Sequence, residues 1–228
     1  MAADPLPPGW SKWNGDAEAL RAFQEELAAR VIVKDAYPRP LRTVAGFDVA
    51  FDENDATAHA AAVLLDATTL DVLETHVVHA PVRMPYVSGL LGFRELPALL
   101  EVLAALSVRP DLAFVDGHGI AHPRRLGLAA HFGVATDLPT IGVASRILIG
   151  ESTTALHDMR GAFTTLRDEG RHIGWLLRSK PGESPLVVSP GHRVAMATAP
   201  EMTMRFVTTH RLPEPTRLAG NIAAARNG

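Results

Sequence analysis

One short stretch constrains this chain more than any other. Leu112–Val115 are all apolar, Asp116 follows, and Gly117, His118 and Gly119 form a glycine-rich turn. A brief apolar run without alternation reads as a strand buried on both faces. It delivers a carboxylate into the turn. His122, Arg124 and Arg125 follow within nine residues of Asp116. A packed core needs none of these polar groups. A site holding a metal ion and a phosphodiester uses all of them.

The flanking pattern places that strand in an α/β arrangement. Asp16 is positioned to cap a helix whose apolar residues Leu20, Phe23, Leu27 and Val31 recur at near-helical spacing, and Pro38 and Pro40 end that segment. Three strand-like runs follow, Thr43–Phe51, Ala60–Leu65 and Val72–His79, with turn residues at Asn54/Asp55 and Ala67–Thr69, as in a meander. From Leu90 the period becomes helical, with Leu96, Leu99, Leu100 and Leu103 on one face. Pro97 suits a first turn better than a helix interior, so a bend is expected near Glu95. A helix over Leu126–Val134 and a buried strand over Thr140–Val143 come next. Strands alternating with helices predict parallel pairing. Ile147–Gly170 reads as an irregular surface excursion. His172–Arg178 and Leu186–Ser189 read as a hairpin, followed by a helix near Pro200–Thr208. Arg211–Arg217 reads as a connection to a last helix. With no linker or repeat, residues 1–228 are expected to form one domain, with 1–14 loosely ordered.

Composition narrows the function classes. The 228 residues include no cysteine, which excludes disulfides, thiol catalysis and Cys-ligated zinc. No apolar run is long enough for a membrane span and no secretory signal is visible, so a cytoplasmic protein without membrane partners is expected. A net charge of −3 argues against a generic nucleic-acid coat, but not against an enzyme that touches nucleic acid locally.

Three acids stand out by position. Asp48 interrupts the apolar run Val44–Phe51, Glu95 lies on the helix after the meander, and Asp116 ends the fourth strand. A carboxylate in an apolar strand is unfavourable unless paired or bound to a cation. Each acid alone is accounted for equally well by an arginine partner or a turn. Together, in this strand order, the first and fourth strands can lie side by side. Asp48 and Asp116 then become neighbours, with Glu95 reaching in. Hard oxygen donors favour Mg²⁺ or Mn²⁺ over zinc. Gly117 and Gly119 suit close approach of the backbone to a ligand or simply a strand-to-helix turn. His122 is a candidate proton donor or phosphate contact, or a structural histidine. Pro123 suits a helix start, where Arg124 and Arg125 would meet phosphate. Tyr86, between Pro85 and Val87-Ser88-Gly89, is either an aromatic on a stiff loop that stacks among bases or a core residue.

Six blocks in order carry a resemblance: Ala45–Asp48, Pro85–Glu95, Asp116–Arg125, Thr140–Ala144, Ser189–His192 and Leu212–Arg217. Together they resemble the endonuclease V family of deoxyinosine-directed repair nucleases. The resemblance implies an RNase H-like fold, with a mixed five-stranded central sheet flanked by helices and an extra C-terminal hairpin and helices. It implies that Asp48, Glu95 and Asp116 bind Mg²⁺ (Mn²⁺ substituting), that His122 belongs to the catalytic site, and that Tyr86 with Pro85 forms a strand-separating wedge. Gly117, His118, Gly119, Arg124 and Arg146 are then expected to contact the substrate. The implied reaction is hydrolysis of the second phosphodiester 3′ to deoxyinosine, leaving 3′-hydroxyl and 5′-phosphate ends. The implied partners are DNA with deoxyinosine or other deaminated bases, and inosine-containing RNA; a monomer is expected. The chain departs from the family pattern at three places. Ser145 stands where the family usually has lysine, which makes Arg146 the expected source of positive charge. Ser88 replaces the wedge's second proline, and Gly220 stands where an acid or histidine is usual. An inosine-site binder with impaired catalysis and an inosine-directed ribonuclease remain the competing readings.

Overall fold

The computed structural model describes residues 15–225; the expectation for residues 1–14 lies outside them. Helix α1 (Ala17–Ala28) begins where Asp16 Oδ1 accepts the N–H of Ala19 at 2.9 Å. This satisfies one of the donors a helix start leaves unpaired. Strands β1 (Thr43–Phe51), β2 (Thr57–Asp66) and β3 (Val72–Pro81) form the antiparallel meander. Side-chain acceptors shape its turns. Asp52 Oδ1 takes the N–H of Ala56 at 2.7 Å, and Asp66 Oδ1 takes those of Thr68 and Thr69 at 2.7 and 2.9 Å.

Helix α2 (Leu91–Ala105) carries the chain to β4 (Leu112–Asp116), and α3 (Leu128–Thr136) carries it to β5 (Thr140–Ala144). β4 pairs in parallel with both β1 and β5, as strand–helix–strand alternation predicts. The order β3-β2-β1-β4-β5 is the RNase H-like arrangement that the resemblance implied. The sheet does not stop there. β6 (Phe163–Asp168), β7 (Arg171–Leu177) and β8 (Leu186–His192) continue it to eight strands, with β8 antiparallel to β5. The expected hairpin is β7–β8, and it is part of the main sheet. Helices α4 (Thr198–Arg205) and α5 (Glu214–Ala224) complete the described chain. α2 and α3 bury Leu96, Leu99, Leu128 and Phe132 against one sheet face. α4 and α5 bury Ala199 and Ala219 with Phe114 and Phe206 on the other.

Four expectations are corrected. Pro97 lies in the interior of α2, which runs unbroken from Leu91 to Ala105, and not in a first turn. Leu96, Ala98, Leu99 and Val102 are buried around that proline, and this packing outweighs its lost hydrogen bond. Pro123 does not start a helix. Pro123 and Arg124 lie in a turn, Arg125 takes a left-handed φ of 57°, and α3 begins only at Leu128. Part of Ile147–Gly170 is strand β6, whose side chains alternate between exposed and buried as an edge strand's do. The supposed connection before the last helix is already helical from Glu214, with Pro215 in its first turn.

Candidate active site

The sheet register assembles the acids. Gly46 pairs with Phe114 and Phe47 with Val115. One residue further sets Asp48 beside Asp116, at the adjoining ends of two parallel strands. Asp48 alternates with buried Phe47 and so faces α5, where a Cβ on Gly220 would stand 2.9 Å from its Oδ2. Its Oδ1 accepts the N–H of Val49 at 2.7 Å. Glu95 comes from α2 and is 7% exposed.

Electrostatics show that the three are coupled. Burial, then the negative charges of Asp48 and Asp116, push the Glu95 carboxyl well above its ordinary range; neighbouring Arg94 relieves only part of this. Arg94 is itself engaged, 3.0 Å from Asp55 and stacked over the Phe51 ring. Burial and the charge of Asp48 push Asp116 up to about 7, opposed by Arg211. Burial also raises Asp48. Low-dielectric carboxylates that repel one another are a donor set that a hard divalent cation stabilises. Among the described residues, no three His, Asp or Glu side chains already stand together at metal-ligand spacing. The donor set fits such an ion by chemistry, with one oxygen of Asp48 left over from its backbone bond.

Beside the acids lies a cavity of about 190 Å³ lined by Tyr86, Gly89, Leu91, Gly117, His118, His122, Leu128 and Leu148, among others. Gly117 adopts φ 138°, a conformation that side chains rarely tolerate, and so lets the turn swing from β4 toward α3. His118 lines the cavity and its Nε2 lies 2.9 Å from the Arg146 carbonyl. Gly119 does not line it. Its N–H donates to Ser189 Oγ at 2.8 Å and its carbonyl accepts from Gly127 at 2.9 Å, so this glycine is committed to holding the turn. Tyr86 is 65% exposed and stands between this cavity and a second hollow lined by Pro85, Arg83, Asp55 and Arg94. The core alternative for Tyr86 is excluded.

The remaining sequence candidates divide. His122 is 4% exposed; its Nε2 reaches the Gly89 carbonyl at 3.1 Å and its Nδ1 accepts the Arg124 N–H at 3.2 Å. Burial, reinforced by Arg124, pushes its pKa down to about 4, so the ring is neutral. Arg124 is held inward: its Nε donates to Gln24 Oε1 at 2.7 Å and its Nη2 to the Gly89 carbonyl at 2.8 Å. Arg125 pairs with Asp168 of β6 at 2.7 Å, tying the sheet extension to the Asp116 turn. Arg146 is exposed, and its carbonyl lies 2.9 Å from His118 Nε2 on the cavity wall.

Sequence reasoning missed three residues. Arg211 donates to the carbonyls of Ser184 at 2.7 Å and Pro185 at 3.2 Å, and stands 3.5 Å from both oxygens of Ser145. It therefore brings a cation beside Ser145. Leu148 forms a wall of the cavity although it lay in the segment read as irregular. Gln24 is 1% exposed on α1. A buried glutamine at a core-facing position of an amphipathic helix was its only sequence signal.

An RNase H-like sheet with coupled carboxylates at the ends of its adjoining parallel strands defines a metal-dependent nuclease class. Comparison with known proteins gives the particular family. The Endonuclease V family model matches residues 25–221. The chain is 53% identical over 219 residues to Endonuclease V of Xanthomonas axonopodis pv. citri (strain 306), covering 96% of this chain and 92% of that protein. The crystal structure of Endonuclease V from Streptomyces avermitilis superposes with a TM-score of 0.87 at 41% identity, covering 98% and 96% of the two chains. Ciona intestinalis Endonuclease V, solved with a 24mer DNA containing an inosine followed by a ribo-adenosine, superposes with a TM-score of 0.77 at 26% identity, covering 90% and 95%. This chain belongs to the endonuclease V family.

Proposed function

We propose that this protein nicks DNA at the second phosphodiester 3′ to deoxyinosine, using Mg²⁺ held by Asp48, Glu95 and Asp116. The observation that carries the reading is the juxtaposition of three coupled acids with a largely apolar cavity that has Tyr86 at its rim. Mg²⁺ bound by these carboxylates supplies polarisation of the phosphoryl oxygen and stabilisation of the leaving oxygen.

The chain's own groups do the rest. The cavity takes the flipped base, with Leu128 and Leu148 against its faces and the Gly117–His118 backbone at its edge. Tyr86, exposed on its loop, fills the gap left in the stack. Glu95 orients the attacking water. Arg211, fixed by backbone carbonyls beside Ser145, faces the phosphate near Asp116. Arg146 adds charge at the exposed edge. Both ring nitrogens of His122 are in use, so its part is to hold Gly89 in place and not to move a proton.

The test is a labelled strand bearing one deoxyinosine, incubated with Mg²⁺, Mn²⁺ or chelator. A metal-dependent nick one nucleotide beyond the lesion is expected. Tight binding with no nick in any metal would instead establish the binder. A matched strand with ribo-inosine tests the ribonuclease reading.

A further inference from the structure

The Gly89 carbonyl sits in the loop that carries Tyr86, and three donors from distant parts of the chain converge on it. Arg124 Nη2 lies at 2.8 Å, Gln24 Nε2 at 3.0 Å and His122 Nε2 at 3.1 Å. A carbonyl oxygen has two lone pairs, so three donors on one oxygen is an unusual concentration. Gly89 has φ 76°, which turns this carbonyl inward in a conformation that side chains resist. Gln24 also accepts from Arg124 Nε at 2.7 Å, so the three donors are themselves cross-linked. Gln24 and His122 are almost fully buried.

A second observation points the same way. Leu20 of α1 is packed in one buried cluster with Met84 and Leu90, the residues at either end of the Tyr86 loop, and with Phe93 of α2. Helix α1 therefore grips the loop twice, by apolar packing at both ends and by hydrogen bonding at Gly89. Tyr86 projects from between these anchors into solvent, and Gly89 lines the cavity.

We infer that Gln24 is a positioning residue for lesion recognition, and that α1 braces the Tyr86 loop through the Gly89 carbonyl. This rests on the cavity and Tyr86 being the base-reading site. A loop that must wedge between bases gains affinity by being ordered beforehand, because ordering is then not charged against binding. Gln24→Leu removes the donor, keeps a similar volume and leaves Arg124 Nε without its acceptor. Gln24→Glu keeps that acceptor and turns the other end into an oxygen facing the carbonyl. It serves as the second variant should Leu disturb the fold.

Two measurements decide the matter. In the free protein, amide hydrogen exchange of Tyr86–Leu91 is expected to speed up about tenfold in Gln24→Leu while α1 stays protected. In binding assays with Ca²⁺ replacing Mg²⁺, the preference for a deoxyinosine strand over a matched deoxyadenosine strand is expected to fall about tenfold. Gln24→Leu combined with Tyr86→Ala should lose no more preference than Tyr86→Ala alone, because both act through one loop. Additive losses, or unchanged loop exchange, would overturn the inference. A wild-type protein with no preference for deoxyinosine would overturn the functional reading instead, and the exchange measurement alone then decides whether Gln24 holds the loop.

Discussion

Asp116 shows how a single residue's surroundings become chemistry. Its ordinary carboxyl is raised to about 7 by burial and by Asp48. A folded-state pKa above the unfolded value contributes stability that is present at low pH and lost as pH climbs from about 4 toward 7. Metal-free protein is thus expected to lose stability over that window, and Asp116→Asn to flatten the loss, as read by melting temperature against pH. The same substitution should reduce Mg²⁺-dependent cutting by more than about 100-fold; normal cutting would show that Asp116 is no ligand. His122 has the opposite sign. Its folded pKa of about 4 lies below the unfolded value, so its contribution is full above about 6.5 and is lost as pH falls toward 4. His122→Gln, which keeps a donor for Gly89, should remove that acid-side slope. Arg211 gives a third residue-scale prediction. Arg211→Gln is expected to slow cutting at least tenfold and to lower the salt slope of DNA binding by about one phosphate contact, whereas Arg146→Gln changes the cutting rate much less. Equal effects would return the cation's role to Arg146.

At the scale of elements, the instructive cases are those where local rules lost to packing. Pro97 lies inside α2, where a proline removes the backbone bond to the residue four earlier. The helix continues because its Leu96–Leu99 turn is buried. Pro97→Ala should therefore raise stability by about 1–3 kcal/mol, checked by urea melting; no gain would mean that the Phe93 carbonyl has already found another partner. The segment after β5 was illegible for another reason. Strand β6 ends the sheet beside β7 and carries Thr164, Thr165, Arg167 and Asp168, so its apolar signal is weak. Its identity comes from a ladder with β7 and from the bridge between Glu151 and Arg167. Pro123 misled because a proline that suits a helix start also suits a turn.

Across the whole molecule, metal, fold and titration are linked. Ligands must be deprotonated to hold a cation, so Mg²⁺ binding near neutral pH should release a fraction of a proton, chiefly from Asp116 and Glu95. Calorimetry in buffers of different ionisation enthalpy reads this directly. Heat that is independent of the buffer would mean that the acids are already ionised. Added Mg²⁺ should also raise the melting temperature, most strongly above pH 7, where the unrelieved repulsion is greatest.

The sequence by itself determined the strand and helix order as far as β5, the parallel core around β4, the meander before it and the three acids as candidates. These follow from periodicity, turn chemistry and the anomaly of a carboxylate in an apolar strand, all of them local. Only the tertiary structure decided what each polar group does. It placed Gly119 against Ser189, Arg124 and His122 against the Gly89 carbonyl, and Arg211 and Gln24, 66 and 65 residues from Ser145 and Gly89, in the surroundings of the site. Hydrogen bonds and Coulomb interactions depend on distance in space. Sequence patterns record only distance along the chain.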